Sequence, residues 1–204
     1  MPWQVFTKPS KSNRLVEEEH MNHIFEKSIF QDTRLGRAYF EQNTITLAQD
    51  LLGKKLVFGS FEGWITETEA YRGEDDPACH AARGKTPRTQ VMYGPGGFSY
   101  IYFIYGRYFC FNIVSEPEGI PAAVLIRGLL LQSPQILHLD GPGKVCRHLS
   151  MDRLHNGIDL TLASDFYVAD LGLRPPFDAT PRIGIRVGTE SLWRFVVKNP
   201  YFFR

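Results

Sequence analysis

The sequence predicts a single α+β domain whose centre is a curved, largely antiparallel β-sheet. The chain has 204 residues, the size of one ordinary domain and enough to enclose a core. Its regular runs are mostly short and β-rich, punctuated by glycine and proline, with few stretches of helical period. No internal repeat, low-complexity tract or linker divides it.

Composition narrows the function classes. Hydrophobic residues make up 43% and charged residues 22%, as in globular proteins of water-filled compartments. The net charge of +1 does not announce nucleic acid, so any DNA binding must come from a local basic patch. Cys79, Cys110 and Cys146 are an odd number without Cys-x-x-Cys spacing, which fits reduced thiols in a reducing compartment. No apolar run reaches membrane-spanning length, and residues 1–20 lack the apolar centre of a signal peptide, so no membrane association is expected.

Residues 1–33 are polar and mixed in charge, with no core pattern before Ile24, Phe25, Ile29 and Phe30. They are expected to be an N-terminal extension to a domain over residues 34–204. Glu19, His20 and His23 lack a third well-spaced metal ligand and suit a solvated helix face. Asn43-Thr44-Ile45-Thr46 leads into a short helix: Thr46 and Gln49 form a capping box, Leu47, Leu51 and Leu52 an apolar face, and Gly53 a stop. Residues 54–58 read as a strand, 59–63 as a turn and 64–71 as the next strand. A loop at 74–77 leads to one helical turn at 78–82 carrying His80, then a basic loop at 84–88.

Residues 121–130 are apolar and β-rich except for Arg127, which needs an acidic or water partner in such a strand. Gly141-Pro142-Gly143-Lys144 lacks the spacing of a nucleotide-binding phosphate loop; a helix to Leu149 follows. Asn156-Gly157 is a hairpin-type turn, Pro175-Pro176 marks a loop, and residues 182–185 and 195–197 read as closing strands.

The chemistry concentrates between residues 65 and 112. As a strand, Ile65-Thr66-Glu67-Thr68-Glu69-Ala70-Tyr71 puts Glu67, Glu69 and Tyr71 on one face and Thr66, Thr68 and Ala70 on the other. Two carboxylates and an aromatic ring suit the wall of a wet pocket, or a solvent-exposed edge strand. From Phe98 to Phe111 eight of fourteen residues are Phe or Tyr. Phe98, Tyr100 and Tyr102 would face one way, with Ser99, Ile101 and Phe103 opposite. That gives one buried and one working side, or a plain core strand with bonded hydroxyls. Residues 77–115 contain no Asp or Glu, yet hold Arg83, Lys85, Arg88 and Arg107. A basic, aromatic interval after a carboxylate pair points to a nucleic-acid surface with a reactive acid at its centre.

Several motifs then fall in one order: Glu-Thr-Glu-Ala-Tyr at 67–71, His80 nine residues after that Tyr, Thr86-Pro87-Arg88, Tyr-Ile-Tyr-Phe-Ile-Tyr-Gly-Arg-Tyr-Phe-Cys-Phe-Asn at 100–112, and Ala-Val-Leu-Ile-Arg at 123–127. From about residue 35 to the C-terminus the chain resembles the alkyladenine (3-methyladenine) DNA glycosylase family. The resemblance implies the same kind of α+β fold, with a protruding β-hairpin. It implies an enzyme that flips alkylated or deaminated purines out of duplex DNA and hydrolyses the N-glycosidic bond, leaving an abasic site.

Residue roles follow by family position. Glu69 is the catalytic carboxylate, activating a water and stabilising the oxocarbenium-like sugar. Arg127 helps hold that water and keeps Glu69 ionised, and the carbonyl of Ile183 completes the water's shell. Tyr71, His80 and Tyr102 stack on the flipped base, an electron-rich sandwich that attracts cationic purines, and Asn112 crowds the exocyclic amine of guanine. Tyr105 at the hairpin tip is the wedge that fills the gap in the stack. Arg83, Lys85, Thr86, Arg88, Arg107 and Lys144 are expected on the DNA. Glu67 is placed behind Glu69.

No metal motif, cofactor loop or Schiff-base lysine signature is evident, so simple hydrolysis without metal or cofactor is expected. A monomer acting on double-stranded DNA with damaged purines is expected, in a bacterial cytoplasm at the nucleoid or a eukaryotic nucleus. Two other classes compete: an O-glycosidase using Glu67 and Glu69 as an acid/base pair, and a nucleic-acid-binding module without catalysis.

Overall fold

The computed structural model describes residues 33–203; the expectations placed on the N-terminal extension, including Glu19, His20 and His23, lie outside the described residues. Among the described residues are helices α1 (Arg37–Phe40), α2 (Thr44–Asp50) and α3 (Pro142–His148). The strands are β1 (Lys55–Phe58), β2 (Phe61–Tyr71), β3 (Ser99–Ile104), β4 (Tyr108–Val114), β5 (Ala123–Ser133), β6 (Leu137–Asp140), β7 (Phe166–Ala169), β8 (Phe177–Thr180) and β9 (Arg194–Val197). They form one antiparallel sheet with the path β3-β4-β5-β2-β1-β7, while β6 pairs with β5, and β9, carrying β8, pairs with β2. The α+β class and the curled antiparallel sheet agree with the sequence reading.

Strand β2 organises the sheet. Along one edge it pairs with β5 over most of its length; along the other, β1 takes Phe61 to Trp64 and β9 takes Glu67 to Glu69. Two neighbours diverging from one edge curl the sheet. The Glu-Thr-Glu-Ala-Tyr run is therefore central, and the edge-strand alternative falls.

Side-chain alternation then divides the sheet into two faces. Ala70, Ile101, Phe111, Ile113, Val124 and Ile126 face the main core with the apolar sides of α2 and α3. Thr68 turns the same way, and its hydroxyl donates to the Ala48 carbonyl in α2 (2.7 Å). On the opposite face stand Glu67, Glu69 and Tyr71 of β2, Ala123, Leu125 and Arg127 of β5, Cys110 and Asn112 of β4, and Tyr100 and Tyr102 of β3. Behind them lies a smaller cluster of Cys79, Ala81, Met92 and Val114.

Four local readings need correction. Helix α2 is capped by Asn43, whose Oδ1 accepts the N–H groups of Ile45 (3.1 Å) and Thr46 (3.3 Å). Thr46 lies inside the helix, because asparagine with a non-helical backbone (φ −51°, ψ 131°) is at least as good a cap. The 59–63 turn is shorter than read, since β2 already starts at Phe61. Residues 182–185 form no strand. Arg182 turns inward, and its guanidinium, rather than a strand ladder, bonds the Ala70 carbonyl (3.0 Å). Asn156-Gly157 joins no two strands. It follows a 3-10 turn at Arg153–His155 and docks on β3, where Asn156 Oδ1 accepts the Ile101 N–H (2.8 Å) and the Gly157 N–H donates to the Ser99 carbonyl (2.8 Å). Cys79, Cys110 and Cys146 are buried and unpaired. No helix among the described residues is long and apolar enough to cross a membrane.

Candidate active site

Register brings the candidates into line. Tyr100 lies opposite Asn112, Asn112 opposite Leu125, Leu125 opposite Glu69, and Glu69 opposite Arg194, a single row across β3, β4, β5, β2 and β9. Arg127 owes its aim to an irregularity. The β2–β5 ladder pairs Glu67 with Gly128 and Thr68 with Ile126, which leaves Arg127 without an opposite number. Such a bulge re-aims a side chain. Gly128 permits the close approach: a Cβ there would meet Thr66 Oγ1 at 2.7 Å and Glu67 Cβ at 2.9 Å.

The two carboxylates are held differently. Glu67 Oε1 accepts from Arg127 Nε (2.9 Å) and from Arg194 Nε (2.6 Å). Glu69 is completely buried; its Oε1 accepts the Ile183 N–H (2.7 Å), its Oε2 the Tyr71 hydroxyl (2.9 Å), and Arg127 Nε stands 3.5 Å from Oε1. Burial pushes the Glu69 carboxyl above the usual carboxylate range, while Arg127, the Ile183 N–H and the Tyr71 hydroxyl pull it back. Arg127 opposes the rise without cancelling it, which modifies the expectation that it simply keeps Glu69 ionised. Glu69 also departs from the wet wall read from sequence, since it is buried among the Ile183 N–H, the Tyr71 hydroxyl and Arg127. Ile183 meets Glu69 through its N–H.

Beside this group is a cavity of about 520 Å³, lined among others by Tyr71, His80, Tyr102, Asn112, Arg127 and Ile183, a size typical of small-ligand sites. His80 packs edge-on to Tyr102 (centroids 4.4 Å, 82°), and its Nδ1 lies 3.0 Å from the Tyr100 hydroxyl. Burial, then the nearby Arg88 charge, pull the imidazole down to about 4, so it is neutral at neutral pH. Asn112 Nδ2 donates to the carbonyls of Tyr100 (3.0 Å) and Cys110 (3.4 Å), which fixes the amide on the cavity floor. Burial raises the thiols of Cys79 and Cys110, which line the same space.

The β3–β4 hairpin ends in a turn whose Arg107 N–H donates to the Ile104 carbonyl (3.2 Å), with Tyr105 (φ +54°) and Gly106 (φ +64°) both left-handed. That is the primed-turn geometry suited to hairpins. Tyr105 is 76% exposed and lines the cavity mouth. Arg83, Lys85, Thr86, Arg88 and Arg107 are exposed. Lys144 lines the mouth but is engaged by Asp140 Oδ1 (2.6 Å).

Sequence reasoning missed an ion pair that ties two loops to the site. Arg182 and Asp76, both essentially unexposed, meet through Nη1–Oδ2 (2.5 Å) and Nη2–Oδ1 (2.9 Å). Asp76 also accepts the N–H groups of Arg72 (3.2 Å) and Ala78 (3.0 Å). The pair fixes the loop that leads to His80 and the one that delivers Ile183. Arg194 and the mouth residue Arg147 were also missed; neither sits in a local motif.

The site is thus a buried carboxylate gripped by fixed donors beside an aromatic-lined cavity, with an exposed tyrosine at its mouth, and it has room for a flat ring. The methylpurine-DNA glycosylase family model matches residues 38–200. A Sodalis glossinidius protein provisionally named 3-methyladenine DNA glycosylase is 55% identical over 167 residues, covering 82% of this chain and 98% of its own. Proteins carrying the same provisional name from Wolbachia pipientis subsp. Culex pipiens (56% over 164 residues, 80% of this chain and 90% of the relative) and Rickettsia felis (53% over 165 residues, 81% and 93%) agree. The chain belongs to the methylpurine-DNA glycosylase family. It is a base-excision-repair DNA glycosylase acting on alkylated purines, a hydrolase whose substrate is DNA.

Proposed function

We propose that the protein works as a monomer on duplex DNA at the bacterial nucleoid, flips a damaged purine into the aromatic cavity and cuts its N-glycosidic bond with water. The observation that carries this is Glu69, enclosed just behind the cavity and held by three groups whose residues line it: Arg127, Tyr71 and the Ile183 N–H. A water between Arg127 and the Ile183 carbonyl gives its proton to Glu69 and its oxygen to the sugar C1′. The electron pair of the broken C1′–N bond goes to the base, and an abasic sugar remains. The negative charge of Glu69 stabilises the oxocarbenium-like transition state. Tyr71, His80 and Tyr102 stack on the base, and Asn112 meets its edge.

Neither competing class fits as well. An O-glycosidase needs two carboxylates flanking a sugar, about 5 Å or more apart; here Glu67 and Glu69 share one guanidinium on one strand face. A binding module has no use for a buried, arginine-held carboxylate. The decisive assay is base release from duplex oligonucleotides, each carrying one of 3-methyladenine, 7-methylguanine, hypoxanthine or ethenoadenine. No release from any of them defeats the proposal.

Two predictions concern the DNA. Replacing Tyr105 with alanine forfeits stacking worth about 1–3 kcal/mol. Fluorescence of a base analogue at the lesion should therefore report fewer flipped nucleotides, while the melting temperature stays put because the ring is exposed. A melt lowered as by core truncation would make Tyr105 structural. For the basic rim, an Arg83/Lys85/Arg107 triple alanine variant should lower the salt slope of duplex binding by about one unit for each phosphate that is no longer neutralised. An unchanged slope puts the DNA on another face.

A further inference from the structure

Two of the tyrosines that line the cavity, Tyr71 and Tyr102, each carry an arginine guanidinium against the ring. Arg182 lies 4.8 Å from the Tyr71 centroid and Arg88 lies 5.1 Å from the Tyr102 centroid. Neither arginine is among the residues that line the cavity, although each guanidinium stands over a ring that does. Their charge balance differs. Arg182 is neutralised by Asp76. Arg88 has no carboxylate partner among the described residues; its Nη2 lies 3.3 Å from His80 Nε2, and that imidazole is neutral. An uncompensated positive charge therefore stands behind one wall and not behind the other.

We propose that Arg88 is a specificity-determining residue that, through Tyr102 and His80, biases the pocket toward damaged purines that are neutral when bound and against those that carry a positive charge. This rests on the lesion-pocket reading above. A cation on one face of a ring draws π density toward itself and leaves the other face less attractive to a second cation. Direct repulsion adds to this. With a base stacked in front of the wall, the two charges stand roughly 8–9 Å apart, where their energy exceeds RT at an effective dielectric of about 20. The electron-rich sandwich expected to favour cationic purines is thus weakened on the Tyr102 side.

The reaction strengthens the bias. A neutral purine leaves with the glycosidic electron pair and is anionic until it takes a proton, so a nearby guanidinium stabilises it as the bond breaks. A cationic purine takes the same pair and leaves neutral, so it gains nothing from that charge. Arg88 also sets the histidine tautomer. Its N–H donates to Nε2, which places the ring proton on Nδ1, facing the Tyr100 hydroxyl.

The test is a competition between two duplexes of different length in one tube, one carrying cationic 7-methylguanine and one carrying neutral hypoxanthine. The ratio of their kcat/KM values is read directly from the products. In Arg88→Met the 7-methylguanine to hypoxanthine ratio should rise about three- to five-fold, and in Arg88→Lys, which keeps the charge, it should stay within about two-fold of wild type. A ratio unchanged in Arg88→Met while both rates fall together, or a ratio that falls, overturns the proposal and leaves Arg88 as a contact to DNA or a brace for the wall. An equal rise in Arg88→Lys also overturns it, because the bond to His80 rather than the charge would then be responsible. An active wild type with an unmoved ratio defeats this inference alone; a wild type that releases neither base defeats the lesion-pocket reading as well.

Discussion

Glu69→Gln is expected to bind lesion-bearing duplex DNA with near wild-type affinity and to release the base about 10²–10⁴-fold more slowly, the usual worth of a general base. An amide fits the space: its oxygen can still accept the Ile183 N–H while its NH2 donates to the Tyr71 oxygen, so the fold and cavity survive. It cannot take a proton from water or offset a growing positive charge on the sugar. Single-turnover base release and fluorescence anisotropy separate the two effects. If Glu69→Gln stays within a few-fold of wild type while Glu67→Gln is inactive, the two carboxylates have been assigned the wrong way round. The hydrogen bonds favour the present assignment: Glu67 is clamped by Arg127 and Arg194, while Glu69 is bonded to two residues that line the cavity, Tyr71 and Ile183.

The same carboxylate sets a pH dependence. Burial raises its proton affinity, so the working, ionised form is reached at higher pH than for an exposed glutamate. Single-turnover base release should therefore rise with pH through a midpoint above the ordinary carboxylate range. Arg127→Met removes the main opposing influence and should move the midpoint further up. A midpoint that moves down, or stays in the ordinary range in both proteins, contradicts this account.

Asp76→Ala is expected to be among the most damaging substitutions away from the reacting atoms. It strands the Arg182 guanidinium, which is wholly enclosed. Removing one partner of a buried pair costs about 3–5 kcal/mol. In a domain of this size that lowers the melting temperature by roughly 6–20 °C. Activity should fall in what remains folded, because the loops before His80 and at Ile183 lose their common anchor. A variant that melts within a degree or two of wild type would show that water satisfies Arg182 and that the pair is dispensable.

These cases show what the sequence displays and what it hides. Period-two alternation put Glu67, Glu69 and Tyr71 on one face of β2 because it depends on neighbours along the chain, whereas the hairpin tip at Tyr105 came from the family resemblance. Asp76 and Arg182 are 106 residues apart, and Glu67 and Arg194 127 apart; no local pattern links them. Arg182 even misled, since an arginine among Ile and Gly reads as part of a strand until its inward partner is known. The helix cap was misplaced for a different reason: Asn43 and Thr46 are both competent caps, and only the backbone conformation chooses between them. The enclosure of Glu69 was hidden because it depends on Ile183, 114 residues away.

The turn at Tyr105 has a consequence for how fast DNA can be inspected. A lesion is rare, and an enzyme sliding along a duplex must reject many sound nucleotides for each damaged one. On the wedge role proposed for Tyr105, a backbone set by a closed two-residue turn fixes where the ring is attached before DNA arrives, so the turn itself needs no ordering at each stop. On that proposal, the dwell at each nucleotide would be set by how readily the base pair opens rather than by a rearrangement of the turn.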